Sequence, residues 1–76
     1  MEARKINVQF RDGREDTYDE HLAMHDLYTI PRVEEIIWFP NDIKDYFSWE
    51  VIDVCHWVGS GDVCVYVVPV EIRDEL

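Results

Sequence analysis

Residues 49–72 read WEVIDVCHWV, then GSGD, then VCVYVVPVEI. Two runs rich in β-branched and aromatic residues flank a Gly-Ser-Gly-Asp cluster, a strong short-range signal for a β-hairpin. With Ser60-Gly61 as a two-residue turn, Trp57 opposes Cys64, Cys55 opposes Tyr66, Asp53 opposes Val68, Val51 opposes Val70 and Trp49 opposes Ile72. Side chains alternate along a strand, so these residues share one face. Ile52, Val54, His56, Val58, Val63, Val65 and Val67 take the other. Both faces are largely apolar, which places the hairpin centrally in a sheet covered on both sides, or on one side plus a partner.

The rest of the chain is built around that ribbon. Ile6, Val8 and Phe10 alternate with Lys5, Asn7 and Gln9, and Arg11-Asp12-Gly13 reads as a turn into a second hairpin. A three-residue loop with Gly13 in the left-handed region gives Ile6 an apolar neighbour, Tyr18, whereas a two-residue loop brings only Glu15, Thr17 and Asp19 to that side. A helix is expected from Asp19 or Glu20 to about Tyr28, with Leu22, Ala23, Met24, Leu27 and Tyr28 forming an apolar stripe. Pro31 ends it. Residues 33–39 (VEEIIWF) form a third strand closed by Pro40, and Asn41 or Asp42 caps a short helix with Ile43, Tyr46 and Phe47 on one face. The expected fold is α+β, a single domain over residues 1–76. Its order is β-β-α-β-short α-β-β, a mainly antiparallel sheet with one helix packed on a face.

Chemistry-bearing motifs are sparse. His21 and His25 in HLAMH have the i, i+4 spacing of a helical metal pair, but Leu22 stands where a zinc protease has its glutamate. Cys55 and His56 are strand neighbours and point to opposite faces, which rules out a nucleophile–base pair. Ser60 lies in a turn, Ser48 precedes a strand, and Gly59-Ser60-Gly61 lacks the helix of a phosphate cradle. The expectation is no enzyme activity, cofactor or metal. Cys55 and Cys64 would sit diagonally across the hairpin and read as reduced thiols rather than a disulfide.

Charge is the informative feature. Seventeen acids against seven bases give a net charge of −10, which excludes direct binding to nucleic acid or an anionic membrane. Between Glu15 and Glu50 there are ten acids and only two bases, Arg32 and Lys44, so this stretch carries −8 of the −10. Such acids solubilise a small domain, and they also repeat at about 6–7 Å along a strand or helix face, comparable to phosphates along a nucleic acid. No run spans a bilayer and MEARKINVQF lacks the apolar stretch of a secretion signal, so the chain is expected in the cytoplasm.

In this general character the chain is similar to phage-encoded inhibitors of host CRISPR or restriction systems, and the expected mode of action is that of a DNA mimic in the host cytosol; no motif ties it to one family. The expected partner is the basic surface of a nucleic-acid-binding protein or complex. The expected contacts are Glu15, Asp16, Asp19, Glu20, Glu34 and Glu35, with Tyr28, Trp38 and Trp49 as apolar anchors. The competing expectation is a structural domain that forms a homodimer through the spare apolar face of the C-terminal hairpin.

Overall fold

A computed structural model describes residues 4–70. They form five strands: β1 (Ile6–Asp12), β2 (His21–Leu27), β3 (Ile36–Ile43), β4 (Tyr46–His56) and β5 (Val63–Pro69). The sheet order is β2-β1-β5-β4-β3, antiparallel throughout except where the first strand pairs in parallel with the last. The sheet curls into a nearly closed barrel, with its edge strands β2 and β3 facing each other across a seam. The α+β expectation is therefore wrong: among the described residues no helical element packs on the sheet.

Both expected helices are strands. In residues 20–28 the good helix formers Leu22, Ala23 and Met24 suggest a helix, yet Ala23, His25 and Leu27 are half-buried while Met24 and Asp26 are exposed, a period of two. The free edge of β1 needs a partner, and this tertiary demand overrides a weak local preference. Ile6 consequently opposes Leu27 and Phe10 opposes Ala23, rather than Ile6 meeting Tyr18. Residues 13–20 form the connecting loop, and Gly13 has no positive φ. The expected short helix after Pro40 is instead the end of β3 and a tight turn. Lys44 (φ 52°) and Asp45 (φ 72°) both occupy the left-handed region, as a two-residue hairpin turn of type I′ requires, and Ile43 opposes Tyr46 across it. The pairing irregularity between Trp38 and Ile43 falls at Pro40, which lacks an N–H to continue the ladder.

The C-terminal hairpin forms, with a different register. Trp57 N donates to Asp62 O at 2.9 Å and Gly61 N to Trp57 O at 3.1 Å, so the connection is wider than a two-residue turn. Cys55 opposes Cys64, Val54 opposes Val65 and Asp53 opposes Tyr66. Val51 then opposes Val67, which leaves Ile52 as an extra residue on β4. The bulge reverses the facing of everything before it. Trp49 and Val51, which strict alternation puts with Cys55, turn inward to join Val63, Val65 and Val67. Two apolar faces thus become one interior. The expected pairings of Val51 with Val70 and of Asp53 with Val68 do not occur; that of Trp49 with Ile72 lies outside the described residues, as does the charged segment 74–76.

That interior comprises Val8 and Phe10 of β1, Phe39 of β3, Trp49 and Val51 of β4, and the three valines of β5. Phe39 reaches across the seam to Phe10 (ring centroids 5.1 Å, edge to face) and to His25 (5.9 Å). These contacts hold the edge strand β3 against β1 and β2 where no backbone ladder joins them. Truncating a buried phenylalanine typically costs about 3–5 kcal/mol, a large part of the stability of so small a domain. Phe39→Ala is expected to destabilise by that amount in urea denaturation. Trp57→Ala, at a side chain 58% exposed, is expected to change stability by less than about 0.5 kcal/mol.

Candidate partner-binding surface

The acidic loop is built on one carboxylate. Asp12 ends β1 with no exposed surface. Its Oδ1 accepts the Arg14 amide at 2.9 Å and Nε at 3.1 Å; its Oδ2 accepts Arg14 Nη2 at 2.8 Å, the Thr17 hydroxyl at 2.7 Å and Lys44 Nζ at 3.4 Å. The backbone closes the same loop, with Asp12 N donating to Glu20 O and Asp19 N to Asp12 O, each at 2.8 Å. Arg14 also lies over the buried Trp49 ring, 5.5 Å from its centroid. Lys44, at the β3–β4 turn, bridges Asp12 and Glu20.

The charges respond accordingly. Burial alone raises the Asp12 pKa, but the Arg14 fork, the Thr17 hydroxyl, the Arg14 amide and the Arg14 charge outweigh it and hold the carboxyl well below the usual range. Hydrogen bonding to Asp12 raises the Arg14 pKa, and hydrogen bonding to Glu20 raises that of Lys44. A second group lies on the outer face, where Tyr66 donates its hydroxyl to Asp19 Oδ1 at 2.8 Å and stacks on Tyr18 with ring centroids 5.1 Å apart. That hydrogen bond, with burial and the Asp19 charge, pushes the Tyr66 hydroxyl above its ordinary pKa. Arg11 donates to Asp19 O at 2.7 Å and lies 3.6 Å from its carboxylate.

These partners divide the expected contact residues. Asp19 and Glu20 are engaged by partners within the fold. Glu15 and Asp16 are exposed and have no ion-pair partner among the described residues, and the same is true of Asp45 beside Lys44. The bases Arg14 and Lys44 are matched by Asp12 and Glu20, so this end of the barrel presents Glu15, Asp16 and Asp45 unneutralised. Glu34 and Glu35 are exposed before the opposite end of β3, beyond the roughly 23 Å rise of that eight-residue strand. Glu35 accepts the Arg32 amide at 2.8 Å, and the Glu34 amide donates to Val51 O. Trp38 is 72% exposed and borders an open apolar groove of about 330 Å3 along the seam, lined also by Phe10, His25, Leu27, Ile36, Ile37, Phe39 and Pro40. Tyr28 is exposed beyond β2, with Lys5 over its ring. Trp49, fully buried with Nε1 donating to Tyr46 O, cannot meet a partner.

The remaining candidates separate as well. His21 and His25 lie on a strand, with their Cα atoms about 13 Å apart by strand rise, too far to chelate one ion. Among the described residues no three His, Cys, Asp or Glu side chains gather as a metal set, and no helix is long and apolar enough to cross a membrane. Of the apolar hairpin face expected to form a dimer, Val63, Val65 and Val67 are buried inside the barrel; Ile52 and Val58 remain exposed. Comparison with protein-family models, with curated proteins and with solved structures returns no match.

Sequence reasoning missed Asp12 as the organiser of the acidic loop. The available signal was RDGRED itself: an acid between two arginines at a strand end, with Thr17 to follow. The depressed pKa has a definite sign. The unfolded carboxyl, near pKa ~3.9, binds a proton that the folded one refuses, so the stabilisation is complete above that value and is lost as pH falls toward the folded value. Asp12→Asn is expected to cost about 1–3 kcal/mol at neutral pH, because a buried neutral amide cannot accept from Arg14 and Thr17 together and the half-buried Arg14 loses its counterion. It is also expected to flatten the loss of stability that the wild type shows below about pH 4. Urea denaturation of both proteins across that range measures both effects.

Proposed function

We propose that this protein is a non-enzymatic acidic binding protein that occupies a basic nucleic-acid-binding surface of a partner and excludes the nucleic acid. The observation that supports this reading is the division of the carboxylates. Asp12, Asp19 and Glu20 are paired within the fold, while Glu15, Asp16 and Asp45 project from one end with no ion-pair partner among the described residues. Charges held on a rigid scaffold set encounter rate and orientation, and an exposed aromatic such as Trp38 supplies apolar contact. Its place of action under this reading is the cytoplasm, where an inhibitor of phage type meets a host nucleic-acid-handling complex, as an anti-CRISPR or anti-restriction protein does.

The test is capture of partners on the immobilised protein at low and moderate salt, followed by competition with nucleic acid. Bound partner is expected to be released by DNA or RNA, and association is expected to slow as salt shortens the range of attraction to about 8 Å. Reversing Glu15, Asp16 and Asp45 to lysine is expected to weaken binding at least tenfold, while Asp53→Lys, an acid on β4, leaves it within twofold. A partner that binds nucleic acid normally with this protein still attached would overturn the proposal.

A further inference from the structure

We propose that Cys55 and Cys64 form a redox-modification site, in which a low-molecular-weight disulfide of the glutathione type converts two thiols into one cross-strand disulfide. The two residues are direct Cα partners in the β4–β5 ladder. Directly opposed residues present their side chains on the same face, with Cα atoms about 4.5–5.5 Å apart, within the span a disulfide bridges. This pairing depends on the wide connection between Trp57 and Asp62, since a two-residue turn would set the cysteines diagonally. Both are free thiols, and their surroundings differ: Cys55 is exposed, whereas Cys64 is only 7% exposed. Cys64 lies in an open cleft of about 310 Å3 shared with Trp57, Tyr66 and Gln9.

That asymmetry orders the chemistry. The Cys55 thiolate attacks one sulfur of oxidised glutathione, forming a mixed disulfide and releasing one glutathione thiolate. The Cys64 thiolate then attacks the Cys55 sulfur, closing the intramolecular bond and releasing the second glutathione. The two protein thiols lose two protons and two electrons; the two glutathione molecules gain them. The product ties the two strands of the hairpin together on the outer side of the barrel, between the Ile52 bulge and the hairpin connection. Cross-linking so short a loop restricts the unfolded chain.

The experiment is incubation of the native protein with oxidised glutathione at low protein concentration, followed by intact-mass analysis and peptide mapping. The expected product is a monomer lighter by two hydrogens, with a Cys55–Cys64 linkage that dithiothreitol reverses and a Tm raised by about 10 °C. Cys64→Ser is expected to stop at a glutathione adduct on Cys55, and Cys55→Ser to react far more slowly while folded. The wild-type mass analysis stands alone if either variant fails to fold. Persistent glutathione on Cys55 with Cys64 still titratable, or dimers linked through Cys55, would overturn the proposal.

Discussion

A carboxylate with no exposed surface ends the first strand, and the loop, the neighbouring hairpin and the display of charge all depend on it. Removing such a group from water costs several kcal/mol, and that cost is offset only where the geometry is good and every lone pair has a donor. Asp12 meets this condition with a guanidinium fork, a hydroxyl, a backbone amide and an ammonium group. The donors come from two places in the chain. Arg14 and Thr17 belong to the loop after β1, and Lys44 to the turn between β3 and β4. One anion therefore fixes residues 13–20 against a hairpin from the far edge of the sheet.

The apolar side of the structure solves a second problem, that of a small domain whose longest strand is apolar on both faces. The bulge at Ile52 turns Trp49 and Val51 to the same side as Val63, Val65 and Val67. The curled sheet then covers that side with itself, using Phe10 and Phe39 across the seam. The two devices meet at Trp49, whose buried ring carries the Arg14 guanidinium on one side and contacts Tyr46 edge to face. Core and ion-pair network are thus continuous.

Legibility in the sequence followed the range of the interactions involved. The valine-rich hairpin was readable because its signal is local: two β-branched runs and a glycine cluster. Its register was not, because the six-residue connection and the bulge answer to packing against β1 and β3. The helix expected around Leu22, Ala23 and Met24 failed for the same reason, since a seven-residue segment has too little intrinsic preference to resist an unpaired strand edge. Lys44-Asp45 contains no glycine, and a lone aspartate is only a weak signal for a left-handed turn. The acidic stretch was visible from residues alone, but only the fold shows that Asp19 and Glu20 are held by Tyr66, Arg11 and Lys44, and that Glu15 and Asp16 are not. Trp49, expected as an apolar anchor for a partner, is the largest fully buried side chain.

Under the proposed function, a rigid acidic end held by the Asp12 network, rather than a flexible charged loop, loses less conformational entropy on meeting a complementary basic surface. Rigidity here means that the loop opens only when the whole domain does. Native-state hydrogen exchange measures this directly. If the Asp12 network unites loop and barrel, the amides of Asp12, Gly13 and Asp19 exchange only through global unfolding, with the same free energy as Val65 in the centre of the sheet. Exchange of the Asp19 amide at the rate of an open surface loop, while Val65 remains protected, would contradict the account.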